Sequence, residues 1–221
     1  MTSTSDLYGA VDIHESVVVG EYAVIGCPKE ARIEQAHAGG AVVRGQSVRI
    51  GRGTVVMHHV VIYEGVEIGA NCMLDDRTRV GYDTRIGDRS RLMHSAYLCD
   101  RVEIGEDCRV AGFVCDGVRV GPGSTVMGQL VHEYTQPHLG WWAADEAPPA
   151  VRERSVLGFG AVVVGPVSIG PRAYVAAGAI VTRDVPPDHI ATGTNVLTPT
   201  SRWPGERLQT LIAAWTTGEP R

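Results

Sequence analysis

"IGANCMLDDRTRVGYDTRIGDRSRL", Ile68 to Leu92, carries an aliphatic residue at every sixth position: Ile68, Leu74, Val80, Ile86 and Leu92. Neither the period of a helix nor the alternation of a half-buried strand produces that spacing, so the segment is a repeat. The column runs upstream through Ile62, Val56 and Ile50 and downstream through Leu98, Ile104 and Val110. A second column lies four residues on from each of these. It reads Thr54, Val60, Val66, Cys72, Thr78, Thr84, Ser90, Ala96, Val102 and Cys108, small or β-branched throughout. One large and one small inward column fill a narrow prism of short strands without overpacking it.

Composition suits such a prism. The chain has 221 residues, 44% of them hydrophobic, enough for a core, and a net charge of -5, which gives it no bias toward nucleic acid. Aromatics make up 6% while glycines number 27, which favours tightly wound coils over a sandwich built on large side chains. The five cysteines form no CxxC, and Cys72 and Cys108 fall in the small inward column. Reduced thiols in a cytoplasmic protein are the simplest reading. "MTSTSDLYGA" lacks the basic and apolar segments of a signal peptide, and no apolar run is long enough to span a bilayer, so no membrane partner is expected.

The count starts early, at Leu7, Ile13, Val19 and Ile25, with Val11, Val17 and Ala23 in the second column. Its first interruption is a loop at about 27–43. After Val110 two residues are dropped, and the register resumes at Val114, Val120 and Val126 through a shortened turn. A second interruption spans 132–155, before Leu157, Val163, Ile169, Val175 and Val181. Loops this long in a compact domain are usually functional. Residues 1–200 thus read as one domain with two excursions. Residues 201–221 read as a tail with a short amphipathic helix presenting Leu208, Leu211, Ile212 and Trp215.

The hexads "IGANCM", "IGDRSR", "IGEDCR" and "IGPRAY", followed by "VAAGAIVTRDVPP", resemble the hexapeptide-repeat acyltransferases from Leu7 to Pro187. The resemblance implies an all-β fold, a left-handed parallel β-helix of three hexads per coil. It also implies a homotrimer with sites between neighbouring prisms, and an acyl-coenzyme A donor such as acetyl-CoA. Where family members often continue with a Gly-Asn-Pro-Ala-like segment, this chain has "TGTNVLTPT".

Three hexads per coil sort the chain into three flanks. The first keeps Gly after its aliphatic residue, at Gly51, Gly69, Gly87, Gly105 and Gly121, and is plain scaffold. The second replaces that Gly by Met57, Asp75, Met93, Ala111 and Met127, and its next row is His58, Asp76, His94, Gly112 and Gly128. A His beside a carboxylate can act as a general base, which acyl transfer to an amine or hydroxyl requires. His58, Asp76 and His94 are therefore catalytic candidates, and Gly112 and Gly128 would leave a groove for the acyl arm. Alternatively the row is a polar ladder of stacked turns. The third flank carries Glu64, Tyr82, Asp100 and Asp116 in one row, and in "LVHEY" the count makes His132 open the next hexad of that flank, beside Glu133 and one coil from Asp116, where the second excursion begins. His132 is a second candidate base. Asp100, Asp116, Glu133, Tyr134 and the loop residue Trp142 are candidate acceptor contacts.

For the coenzyme, Gly160, Ala177 and Gly178 permit close backbone approach, and Arg183 or Arg172 suits a phosphate. By resemblance, Thr182 and Arg183 in "VTRDVPP" border the coenzyme. The reading is an acyltransferase, most simply an acetyltransferase, acting on an amine of a small metabolite such as an amino sugar or amino acid derivative. No metal is expected. Two alternatives stand beside it. One is a carbonic-anhydrase-like metalloenzyme of the gamma class, for which His58, His94 and His132 supply the residue type. The other is a non-catalytic trimeric scaffold, which would keep consensus hexads on all three flanks.

Overall fold

The structure is a computed structural model that describes residues 5–38, 45–135, 146–193 and 196–202. It is a left-handed parallel β-helix with three flat faces, each a sheet in which strands pair in parallel with the strand one coil later, except for the last strand of the second face. Ile50, Ile68, Ile86 and Ile104 stack in register on the first face, Val56, Leu74, Leu92 and Val110 on the second, and Ile62, Val80, Leu98 and Val114 on the third. All of these side chains are buried, as is the small column from Thr54 to Cys108.

The count of six follows from how the corners are built. Most strands contribute two residues and each corner four, one of which turns the chain in the left-handed region. Asn71, Arg77, Asp83, Arg89, Ser95, Arg101 and Asp107 all have φ between 54° and 61°. That conformation costs on the order of 1 kcal/mol per residue. It is offset by a bond to the neighbouring coil, as when the Arg77 N–H donates to the His58 carbonyl at 3.0 Å. Hydroxyls of the small column rivet the coils from inside. Ser90 Oγ donates to the Gly105 carbonyl (2.8 Å) and accepts the Cys108 N–H (3.0 Å), and Thr54 does the same with Gly69 and Cys72. A buried polar group so paired carries no desolvation debt.

Four details depart from expectation. At the N-terminal end Leu7 and Val19 are exposed (58% and 36%), because an end coil has no further coil to cover it. The first excursion is not wholly a loop, since it contains a helix, α1 (Glu30–His37), that buries none of its residues. Its two ends are held instead by Glu64. This fully buried carboxylate accepts the N–H groups of Lys29 (3.3 Å) and Gln46 (3.2 Å) and pairs with Arg32 (3.2 Å). The second excursion ends sooner than 155. Ala150 and Val151 already pair with Arg119 and Val120, Val151 lying one hexad before Leu157, and Ser155 is buried in the small column. Beyond Val181 the strand His189–Thr192 is met by an antiparallel strand, Val196–Pro199, so "TGTNVLTPT" closes the prism as a hairpin. The helix expected over Leu208–Trp215 lies outside the described residues.

Candidate functional site

Both excursions leave from the same corner, the one that follows the third face. The first departs after Cys27 and the second after Val131. Between them the corner carries the Asp100–Asp116 row read from the sequence, and the structure adds His132 to it: a second shortened corner after Val126 gives the inward position to Leu130, not to His132. Leu98, Val114 and Leu130 stack in register, which sets Asp100, Asp116 and His132 above one another on successive coils. The pairing of Leu130 with Val163 and of Val163 with Val181 extends the row to Gly165 and Arg183. Asp116 Oδ1 accepts the Asp100 N–H at 2.7 Å, and Asp100 Oδ1 accepts the Tyr82 N–H at 3.0 Å. Burial holds the Asp100 carboxyl above its ordinary range; the Tyr82 N–H opposes that shift and the charge of Asp116 reinforces it. His132 Nδ1 is shut off from solvent and has no hydrogen-bond partner among the described residues.

These groups border a cavity of about 640 Å³. Glu30 of α1 reaches it from the first excursion, and Tyr134, Glu146 and Pro148 from the second. Glu146 closes the neck of the second excursion by accepting the Tyr134 N–H (2.6 Å) and the Thr135 hydroxyl (3.2 Å). The Tyr82 hydroxyl accepts the Glu30 N–H at 3.1 Å, which anchors α1, and burial pushes that phenol up to about 12. The wall is the outward column of the third face. Arg79 lies 4.4 Å from the ring centroid of Tyr63 and 4.7 Å from that of Tyr97, and Phe113 stacks on Tyr97 at 5.4 Å. Cys99 and Cys115 complete it, both thiols pushed up to about 12 chiefly by burial, so neither is a thiolate at neutral pH. A larger hollow, about 1050 Å³, lies over the first face. Arg49, Glu67 and Arg85, and likewise Glu103 and Arg119, pair with one another there (3.2 to 3.9 Å) and leave it a self-neutralised surface.

The other candidates lie elsewhere. His58, Asp76 and His94 do stack in one row, on the corner before the third face, across that face from His132. Asp76 Oδ1 accepts the backbone N–H of His58 (2.9 Å), and the His58 ring accepts the Glu21 N–H (3.0 Å) while His94 is exposed. Gly112 and Gly128 leave no groove in that row: a Cβ on Gly112 would overlap the Gly128 carbonyl, because two residues are missing from this corner and the backbones close up. Gly160 and Gly178, each with φ near +70°, continue the same corner with nothing within 4 Å of where a side chain would begin, and Ala177 beside them is exposed. Thr182 and Arg183 are exposed on the His132 corner. Arg172 sits on the third corner in a bidentate pair with Asp188, both contacts 2.6 Å. Glu133 lies against Gly165 and does not line the cavity. Trp142 lies outside the described residues. Among the described residues no three His, Cys, Asp or Glu side chains converge as a metal cage.

Arg79, Tyr97 and Phe113 are absent from the sequence reading. Their signal was available: they occupy the position just before the inward aliphatic residue, where the first flank carries Arg49, Glu67, Arg85, Glu103 and Arg119 and the third becomes aromatic. Glu30 and Glu146 gave none, because excursions have no period.

A three-faced prism wound in six-residue steps, with a cavity between two excursions at one corner, is the architecture of a hexapeptide-repeat protein. The family model "Bacterial transferase hexapeptide (six repeats)" matches residues 47–81 of this chain. A putative serine acetyltransferase of Schizosaccharomyces pombe is 49% identical over 45 residues, 20% of this chain and 17% of that protein. The bifunctional protein GlmU of Agrobacterium fabrum is 33% identical over 93 residues, 41% of this chain and 19% of that protein. Each match thus spans less than a fifth of the relative's length. The crystal structure of UDP-N-acetylglucosamine O-acyltransferase from Moraxella catarrhalis aligns with 98% of this chain and 85% of that one, at 16% identity and a TM-score of 0.50, a likeness of fold. Among the described residues no helix is long and apolar enough to cross a membrane.

Proposed function

We propose that the protein is an acyltransferase that moves an acyl group, most simply acetyl, from coenzyme A to an amine of a small metabolite, with His132 as the general base. The observation that carries this reading is an imidazole nitrogen, His132 Nδ1, buried at a cavity mouth with no hydrogen-bond partner among the described residues, one coil above the Asp116 carboxylate. An unsatisfied buried nitrogen costs stability, and a side chain kept at that cost is more readily explained by function than by packing. With Nδ1 enclosed, Nε2 is the nitrogen that meets the acceptor. It takes the proton as the amine attacks the thioester carbonyl; the C–S bond breaks, the coenzyme leaves as thiolate and is protonated, and the nearby carboxylates stabilise the imidazolium. The acidic surroundings, Glu30, Asp100, Asp116 and Glu146, suit a basic acceptor.

The donor is assigned to the third face, between the open corner at Gly160, Ala177 and Gly178 and the corner bearing Thr182 and Arg183. Arg172, engaged by Asp188, is left out. A homotrimer accords with the apolar groups exposed on and beside that face: Tyr97 41%, Phe113 36%, Phe159 78%, Ile180 46% and Met93 37%. The test is thiol release from acetyl-CoA over a panel of small amines. His132→Ala should lower turnover about a hundredfold or more, while Asp76→Asn and His94→Ala retain it. Full activity in a His132→Ala protein of unchanged oligomeric state would overturn the assignment, and failure to bind coenzyme A by calorimetry would overturn the class.

A further inference from the structure

Arg79 has an unusual place in this cavity. Its guanidinium is sandwiched between the rings of Tyr63 and Tyr97, 4.4 and 4.7 Å from their centroids, and the Tyr63 ring is in turn met edge-on by Tyr82 at 4.7 Å. The sandwich fixes the plane of the fork and strips water from both its faces. One of its donors, Nη1, bonds the Leu98 carbonyl at 3.1 Å. Among the described residues no carboxylate pairs with it. Several arginines of neighbouring coils behave differently: Arg49, Arg85, Arg89 and Arg119 each take an acidic partner on an adjacent coil. A partly desolvated guanidinium, held rigid in a cavity wall, with no salt bridge among the described residues and Asp100 acting on it only as a nearby charge, matches an incoming oxyanion better than it matches solvent.

We propose that the cavity binds an acceptor bearing an anionic oxygen group, a carboxylate or a phosphate, which the edge of the Arg79 fork receives. The proposal rests on the acyltransferase reading for the word acceptor and on the Arg79 geometry alone for the anion. Arg79 and the Asp100–Asp116–His132 corner line the same cavity, so a molecule held at Arg79 by its anion presents its amine to the acidic corner. The opposed charges select a zwitterionic acceptor over a neutral or purely cationic amine, and a flat part of such a molecule can lie along Tyr97 and Phe113, the exposed end of the aromatic column.

Acetate and inorganic phosphate are the smallest probes of this chemistry. They would be titrated into the purified full-length protein and followed by saturation-transfer NMR for acetate and ³¹P line width for phosphate. At least one should bind saturably, at least tenfold more weakly in Arg79→Gln, and with part of the affinity restored in Arg79→Lys, which keeps the charge but not the planar fork. Thermal unfolding of each variant checks that the aromatic column survives; if Arg79→Gln does not fold, the Arg79→Lys comparison with wild type decides. A repeat with saturating coenzyme A separates the two sources of anion. Persistence of the probe signal assigns the subsite to the acceptor, and its disappearance assigns Arg79 to a coenzyme phosphate and overturns the proposal. No saturable binding of either probe to wild type, or equal binding to wild type and both variants, reduces Arg79 to an internal strut and also overturns it. If the protein binds the probes through Arg79 but never coenzyme A, the acyltransferase reading falls and the anion subsite stands.

Discussion

Replacing Gly112 by Ala should be among the most destabilising single changes in this chain. The Cβ would overlap the Gly128 carbonyl oxygen, and its other close neighbours are backbone atoms that cannot rotate away. Restoring an ordinary contact requires two coils, about 4.8 Å apart, to separate by more than about 1 Å. Two ladder bonds flanking that corner, both between the coils that must part, would be stretched beyond use: Ala111 N–H to the Val126 carbonyl (2.8 Å) and Cys115 N–H to the Leu130 carbonyl (3.0 Å). At roughly 1 kcal/mol per bond, with 1 to 3 kcal/mol for overpacking, the cost comes to about 3 to 5 kcal/mol. Gly160→Ala is the control: with φ +69° and nothing within 4 Å, it pays only the left-handed strain, about 1 to 2 kcal/mol. Urea unfolding at one fixed protein concentration gives both values from the shift in midpoint at constant slope. A Gly112→Ala protein no less stable than Gly160→Ala would refute the close stacking of the shortened corner. Because that corner leads into the coil bearing Asp116, residual turnover should also fall more than stability alone accounts for.

Ser90→Ala removes the donor to Gly105 and the acceptor for Cys108 inside the prism, and should cost about 2 kcal/mol in the same unfolding assay. Asp100 titrates above its ordinary value of 3.8 in the folded protein. Its contribution is therefore most favourable below that value and is lost as pH rises through the raised one. Asp100→Asn should accordingly gain stability relative to wild type at pH 7, the gain shrinking toward pH 4; a pH-independent difference would contradict the burial of this carboxyl. Cys99, pushed up to about 12 by burial and then by the charge of Asp116, should react with iodoacetamide at pH 8 about a thousandfold more slowly than a free thiol, as peptide mapping by mass spectrometry would register. Arg183→Ala should weaken coenzyme A binding about tenfold or more by calorimetry, with turnover at saturating donor nearly unchanged.

How much of this was legible from sequence differs between the inside and the outside of the prism. Val80 must point inward because two short columns are all that a narrow interior holds, so close packing imposed a period and the period could be counted. The same count stacked His58 on Asp76 and His94, and Asp100 on Asp116, since coils in register carry their corners with them, but it set His132 at the head of a hexad, where the structure puts Leu130. It also concealed Val151, whose hexad was absorbed into an excursion because the flanking "EAPPA" breaks the pattern. Outside the prism no such constraint operates. Asp76 was free to bond the His58 backbone rather than an imidazole, and Arg79 to lie between Tyr63 and Tyr97, because outward side chains answer to their immediate neighbours and not to a repeating interior. Sequence by itself therefore determined the coil, the columns and the rows. Only the tertiary structure decided that two excursions, begun more than a hundred residues apart, leave from one corner. Winding brings Glu30 and Glu146 to the same cavity as His132, and no local spacing encodes that meeting.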